Sequence, residues 1–150
     1  MLRDDCPICR RFQGQEPDPG GALIETSLVR AQHASVPEGR SGAHAGWLLV
    51  TPLRHVTSLA ELTDDEAREM GIVRTRLATA LLDSTAEHVY STVIGDQVPH
   101  VHEHVIARWP DTPQEYHGPF KLLEWPGAHV MANEGIRLFC DRLRDRLLGH

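Results

Sequence analysis

The sequence predicts an α+β domain built on an antiparallel sheet. Three features carry that reading: a capped amphipathic helix over residues 63–82, a second apolar helical stripe near the C-terminal end, and two strand-like segments, 87–94 and 100–107, joined only by residues 95–99. A linker that short cannot make a parallel crossover, so the two segments form an antiparallel hairpin.

The elements follow in order. Residues 1–12 carry Cys6-Pro7-Ile8-Cys9, and 14–21 (GQEPDPGG) is a turn-rich connector. Residues 23–31 read as a strand and 33–45 as a loop. Residues 46–51 (GWLLVT) are a short apolar strand stopped by Pro52. Thr63-Asp64-Asp65-Glu66 has the form of a capping box, with acidic residues at the positive end of the helix dipole. Met70, Val73, Leu77 and Leu81 then recur on one helical face. Residues 109–127, rich in Pro and Gly, read as an ordered loop. Asn133 is placed to cap a last helix with the stripe Ile136, Cys140, Leu143 and Leu147. The expectation is one domain over 1–150, with about five strands and two packed helices.

Composition narrows the function. With 150 residues, 41% apolar and 24% charged, the chain has an ordinary globular composition. A net charge of −6 makes it a poor binder of duplex nucleic acid. No 18-residue apolar run is present, so no membrane span is expected. The first residues lack an apolar signal core, and the cytoplasm is the expected compartment. Three cysteines in a reducing compartment leave metal binding or free thiols.

Ten His residues are the unusual load, and the sharpest arrangement is His100-Val101-His102-Glu103-His104-Val105-Ile106. In a strand, alternate residues share a face at roughly 6.6 Å spacing, so three imidazoles would project in a row. Rings that titrate near neutrality suit attack on phosphorus, the middle one attacking while its neighbours hold phosphate oxygens. A second reading makes the row ligands of a hydrolytic metal, although its ends lie roughly 13 Å apart, too far to share one ion. Cys6-x-x-Cys9 is half of a zinc site or a redox pair. His33, His44, His88, His117, His129 and His150 read as surface or loop residues, with His44 the one to watch beside the site. Cys140 reads as core. Trp109 and Trp125 could cover a base, line a dimer seam or simply pack the loop.

The segment 100–106 resembles the signature of the histidine triad (HIT) family of nucleotide hydrolases and transferases, alternating His with apolar residues. Residues 46–55 (GWLLVTPLRH) resemble the family's second block. The resemblance covers about residues 6–108, and 109–150 add little. It implies a covalent nucleotidyl intermediate on His102, formed at the α-phosphorus of a nucleoside phosphoramidate or dinucleoside polyphosphate. It implies that His104 holds phosphate oxygens, that His100 orients His102, and that Asp96, Gln97 and Val98 lie at the same phosphate. The base would occupy a cleft of the N-terminal strands that includes Leu23 or Val29. Some members also carry zinc on a set that corresponds here to Cys6, Cys9, His55 and His100. That zinc would be structural, with no organic cofactor, and the family's usual homodimer is expected. Three departures stand out: Trp47 where many members have His, Asp96-Gln97 where a neutral pair is usual, and Glu103 at an apolar position, which implies a less fully covered face. They leave open a zinc-stabilised nucleotide sensor with little turnover, alongside the metal-dependent hydrolase.

Overall fold

The structure is a computed structural model that describes residues 1–149; His150 lies outside the described residues. The elements are α1 (Pro7–Phe12), β1 (Ala22–Glu25), β2 (Val29–His33), β3 (Ala43–His44), β4 (Trp47–Pro52), α2 (Asp64–Asp83), β5 (His88–Val93), β6 (Glu103–Arg108), α3 (Lys121–Glu124), β7 (Val130–Met131) and α4 (Asn133–Leu148), with 3-10 turns at 59–61 and 114–116. Five strands form an antiparallel sheet in the order β1-β2-β4-β6-β5, and β3 pairs with β7. Among the described residues no helix is long and apolar enough to cross a membrane.

The alternation of each strand divides its side chains between two faces. Leu48 and Val50 of β4 and Val105 of β6 meet Val73, Leu77 and Leu81 of α2 and Ile136, Cys140 and Leu143 of α4 in one core. The opposite face carries His104 beside Leu49 and Thr92, its register partners on β4 and β5. The sheet thus separates the packed core from the face with the chemistry. Cys140 is fully buried, and burial pushes its thiol up to about 12, so it acts as core.

The helix start forms as the sequence predicts. Thr63 Oγ1 accepts from the Glu66 amide at 3.2 Å, and Glu66 Oε2 accepts from the Thr63 amide at 2.9 Å. Arg54 also grips the Glu66 carboxylate at 2.7 and 3.0 Å and holds it below its usual range. The segment carrying His55 is thereby tied to α2.

Several expectations change. The strand expected over 23–31 is a hairpin, because Thr26 Oγ1 accepts from the amides of Leu28 and Val29 and folds the chain back. Leu23 and Val29 face the core and build no base cleft. Strand β6 starts at Glu103 rather than residue 100: the His100 amide turns to Val98 O at 2.8 Å and the Val101 amide to Val56 O at 2.8 Å. Residues 109–127 contain α3 and a 3-10 turn, and α1 has no counterpart in the sequence reading. Ala132, not Asn133, occupies the N-cap of α4. Glu103 does not mark a thinly covered face. It is 4% exposed and points to α2, whose Arg74 donates to it at 3.0 Å, and Ser91 Oγ of the adjacent β5 also donates.

Two of the histidines assigned to the surface are buried. His33 accepts from the Gly46 amide at Nε2 (3.2 Å), so its Nδ1–H donates to Ala34 O (2.8 Å) and the ring stays neutral. Burial lowers its pKa from 6.5 to about 4. The unfolded chain therefore binds this proton first. The stabilisation is full above about pH 6.5 and is lost as pH falls toward 4. Denaturant titrations between pH 6.5 and 5, where most carboxylates stay ionised, should show stability falling with acidification. His33→Gln should make that slope shallower, though not flat, because burial also lowers His44 and His104. An unchanged slope would remove His33 from the account.

Candidate active site

His100 is the hinge between two clusters. Its ring is 1% exposed. Nε2–H donates to Pro52 O at the end of β4 (2.9 Å), which leaves the lone pair on Nδ1. That nitrogen stands 3.5 Å from the Sγ atoms of both Cys6 and Cys9, and His55 Nδ1 stands 3.4 Å from Cys9 Sγ. All four donor atoms lie within 4.8 Å of one another.

The N-terminal chain delivers the thiols through α1. Cys6 is the N-cap, Pro7 opens the helix, and the Cys9 amide donates to Cys6 Sγ at 3.5 Å. Phe12 meets the His100 ring edge-on with centroids 6.0 Å apart. Sulfur at ~2.3 Å and nitrogen at ~2.1 Å from a tetrahedral ion would stand about 3.6 Å apart. The measured sulfur–nitrogen separations of 3.4 and 3.5 Å match that spacing, so the four side chains fit a structural divalent metal such as zinc. Burial raises the Cys9 thiol in the protein alone, and an ion would displace its proton.

The backbone of His100 serves the second cluster. His102 Nδ1–H donates to His100 O at 2.7 Å, which leaves the lone pair on Nε2. The His102 and His104 ring centroids are 4.9 Å apart and nearly perpendicular, at 72°. Trp47 Nε1–H donates to His104 Nδ1 at 3.0 Å, so a neutral His104 carries its proton on Nε2. Burial, with a smaller push from His102, lowers His104 to about 4, so the ring is neutral near pH 7. Phe120 meets the His104 ring edge-on at 5.4 Å. These rings face a cavity of about 370 Å³ whose other side is the 95–98 turn. One imidazole thus presents a lone pair and its neighbour an N–H to the same space.

The expected site residues separate in an orderly way. His102, His104, Asp96, Gln97 and Val98 line one cavity, with Asp96 and Gln97 exposed. Cys6, Cys9, His55 and His100 form the other cluster. His100 does not join the row of rings, since both its nitrogens face the thiols and Pro52. The three imidazoles therefore cannot ligate one hydrolytic ion. His44 does not take the place of a His at position 47. It is buried and Nε2–H donates to Ala107 O at 2.8 Å, while Trp47 itself reaches His104. Trp109 donates to Ala45 O at 2.9 Å and packs away from these rings. The contribution of Phe120 had no sequence signal, because it comes from a segment without periodicity.

Comparison with known proteins places this geometry. The model of the HIT domain matches residues 22–111. The chain belongs to the HIT family. A search of curated proteins finds no match. Among solved structures, a HIT-like protein from Bartonella henselae superposes with a TM-score of 0.71 at 16% identity, over 96% of this chain and 97% of that one. A zinc-bound histidine triad protein from Mycobacterium smegmatis gives 0.70 at 18% identity, over 97% and 94%. A hypothetical histidine triad nucleotide-binding protein from Sulfolobus tokodaii gives 0.72 at 19% identity, over 96% and 93%. At such identities these likenesses establish a shared HIT fold over nearly the whole chain.

The indole contact is specific enough to test without any substrate. In ¹⁵N-resolved imidazole spectra near pH 7, wild-type His104 should appear as the Nε2–H tautomer. Trp47→Phe keeps an aromatic ring but removes the donor, and should give a mixture of tautomers. An unchanged spectrum would show that Trp47 does not set the His104 proton.

Proposed function

We propose that this HIT protein hydrolyses or transfers nucleotides at the α-phosphorus, with His102 as nucleophile. The observation that carries the reading is the bond from His102 Nδ1–H to the His100 carbonyl, which aims a free Nε2 lone pair into the cavity shared with His104. Nε2 would attack phosphorus as the bond to the leaving group breaks. The electron pair departs with that group, which takes up a proton. The positive charge gained by the His102 ring would be held at Nδ1–H by the carbonyl. The His104 Nε2–H would donate to a phosphate oxygen. Water would then attack phosphorus, lose a proton, and return the electron pair to Nε2. Nucleoside phosphoramidates and dinucleoside polyphosphates are the substrate classes proposed.

Cys6, Cys9, His55 and His100 would hold zinc, which would supply a structural cross-link between α1, the 53–56 segment and the turn before β6. Through it the carbonyl that orients His102 would be kept in place. A homodimer is also proposed, because β5 is an edge strand with no further strand beside it among the described residues.

The test of the nucleophile is intact-protein mass after brief exposure to adenosine 5′-phosphoramidate or a diadenosine polyphosphate. Wild type should gain a nucleotidyl mass that His102→Ala lacks, and the variant should lose at least about 10³-fold in turnover. The absence of both adduct and product would favour the sensor reading, in which the cavity binds a nucleotide without turning it over.

The metal centre is tested separately. Purified protein should carry about one zinc per chain, and Cys9→Ala should abolish it and lower Tm by roughly 10 °C or more. Full stability without bound metal would reduce the cluster to a thiol pair.

A further inference from the structure

A second cavity, of about 630 Å³, adjoins the one in front of His102 and His104. Trp47 and Phe120 line both. Its other apolar walls include Pro37, Leu123, Trp125 and Pro126. One side comes from the 37–44 segment. The other comes from 120–130, beyond the residues that match the family model. The phosphorus chemistry proposed for His102 makes no use of this space.

Two close approaches give the cavity fixed walls. A Cβ on Gly42 would come within 2.9 Å of the Met131 backbone, so the 37–44 segment lies directly against β7. A Cβ on Gly127 would come within 2.6 Å of the Trp125 ring, so the indole rests on bare backbone. Tyr116 supports the same ring at 6.3 Å with a 32° tilt, and His129 meets it edge-on.

Polar side chains, those of Arg40, Ser41, His44 and Glu124, share the lining with these walls. His44, 4% exposed, lines the cavity with Nε2–H committed to Ala107 O and with Nδ1 buried and unpartnered. Arg40 and Glu124 are exposed at its lining and make no side-chain hydrogen bond or ion pair among the described residues. Aromatic walls interleaved with polar groups suit a flat ring with polar edges.

We propose that this cavity receives a planar aromatic ring of the substrate, stacked on Trp125, while the phosphorus lies before His102. The proposal rests on the reading of His102 as the nucleophile of a nucleotide hydrolase. The ring can be the base or an aromatic leaving group, since both offer the same flat, polar-edged face. Leu23 and Val29, the expected walls of a base cleft, are buried in the core, whereas this cavity opens beside the reacting rings.

The test compares three substrates. Ribose 5-phosphoramidate carries no aromatic ring. Adenosine 5′-phosphoramidate adds one on the nucleoside side. The tryptamine amide of ribose 5-phosphate adds one on the leaving side. In wild type, at least one ring should raise kcat/KM about tenfold over the ringless compound. Trp125→Ala should erase that gain and Trp125→Phe should keep most of it; the series in which this happens identifies the source of the ring. A gain that survives Trp125→Ala in both series, or no gain in wild type, overturns the proposal. If wild type turns over none of the three, the hydrolase reading falls and the same comparison is made on calorimetric Kd values. Adenosine 5′-monophosphate against ribose 5-phosphate then reports the base, and tryptamine reports the leaving side. Tighter ring binding that Trp125→Ala abolishes would uphold the cavity assignment, and ring binding unaffected by that variant would end it.

Discussion

His100 has three polar atoms that matter, and each holds a different part of the molecule. Nε2–H binds the end of β4 through Pro52 O, Nδ1 faces the two thiols, and the backbone oxygen receives Nδ1–H of His102. These bonds depend on one another. The bond to Pro52 fixes the tautomer that leaves Nδ1 free for the cysteines, and the position of the residue places its carbonyl. The ring is buried, where an unpaired polar nitrogen would be costly, so this arrangement is strongly preferred over its alternatives. The orientation of His102 is thus set by a residue whose side chain faces elsewhere.

A neutral imidazole stands beside the His102 lone pair. His104 is neutral because it is partly desolvated, and Trp47 decides which of its nitrogens carries the proton. A neutral N–H donor beside a free lone pair can meet a phosphate without first losing a proton of its own. An indole at position 47 can donate a hydrogen bond but cannot accept one at its nitrogen. It therefore fixes His104 in a single tautomer, where an imidazole at that position could have donated or accepted. The second cavity begins at the same indole, so Trp47 both sets the neighbouring ring and forms a wall of the larger chamber.

The core face is held by a different balance. Glu103 sits between two site residues in sequence but faces α2, with Arg74 and Ser91 both donating to its Oε1. Glu66 anchors the start of the same helix through Thr63 and Arg54. These charged contacts stand at the margins of an otherwise apolar interface, where their partners retain access to water. A buried carboxylate of this kind is tolerated because it keeps a cationic partner, and loss of that partner would expose the cost of burying it.

Much of this was legible in the sequence. The capping box, the helical stripes and the β5–β6 hairpin depend on neighbours in the chain, and local periodicity encodes them directly. The alternation at 100–104 and the Cys6-x-x-Cys9 pair pointed to the residues of the two clusters, but not to the departure of His100 from the row of rings. The turn at 26–28, the late start of β6 and the burial of His33 were not, because each is decided by a backbone or side-chain partner whose position depends on the fold. The same holds for Trp47 and His104, which are 57 positions apart and meet only because β4 and β6 lie side by side. The sequence by itself determined which chemical groups the protein carries and the period of its elements. Tertiary structure alone decided which nitrogen of each histidine holds a proton, because that depends on the single atom facing it across the fold.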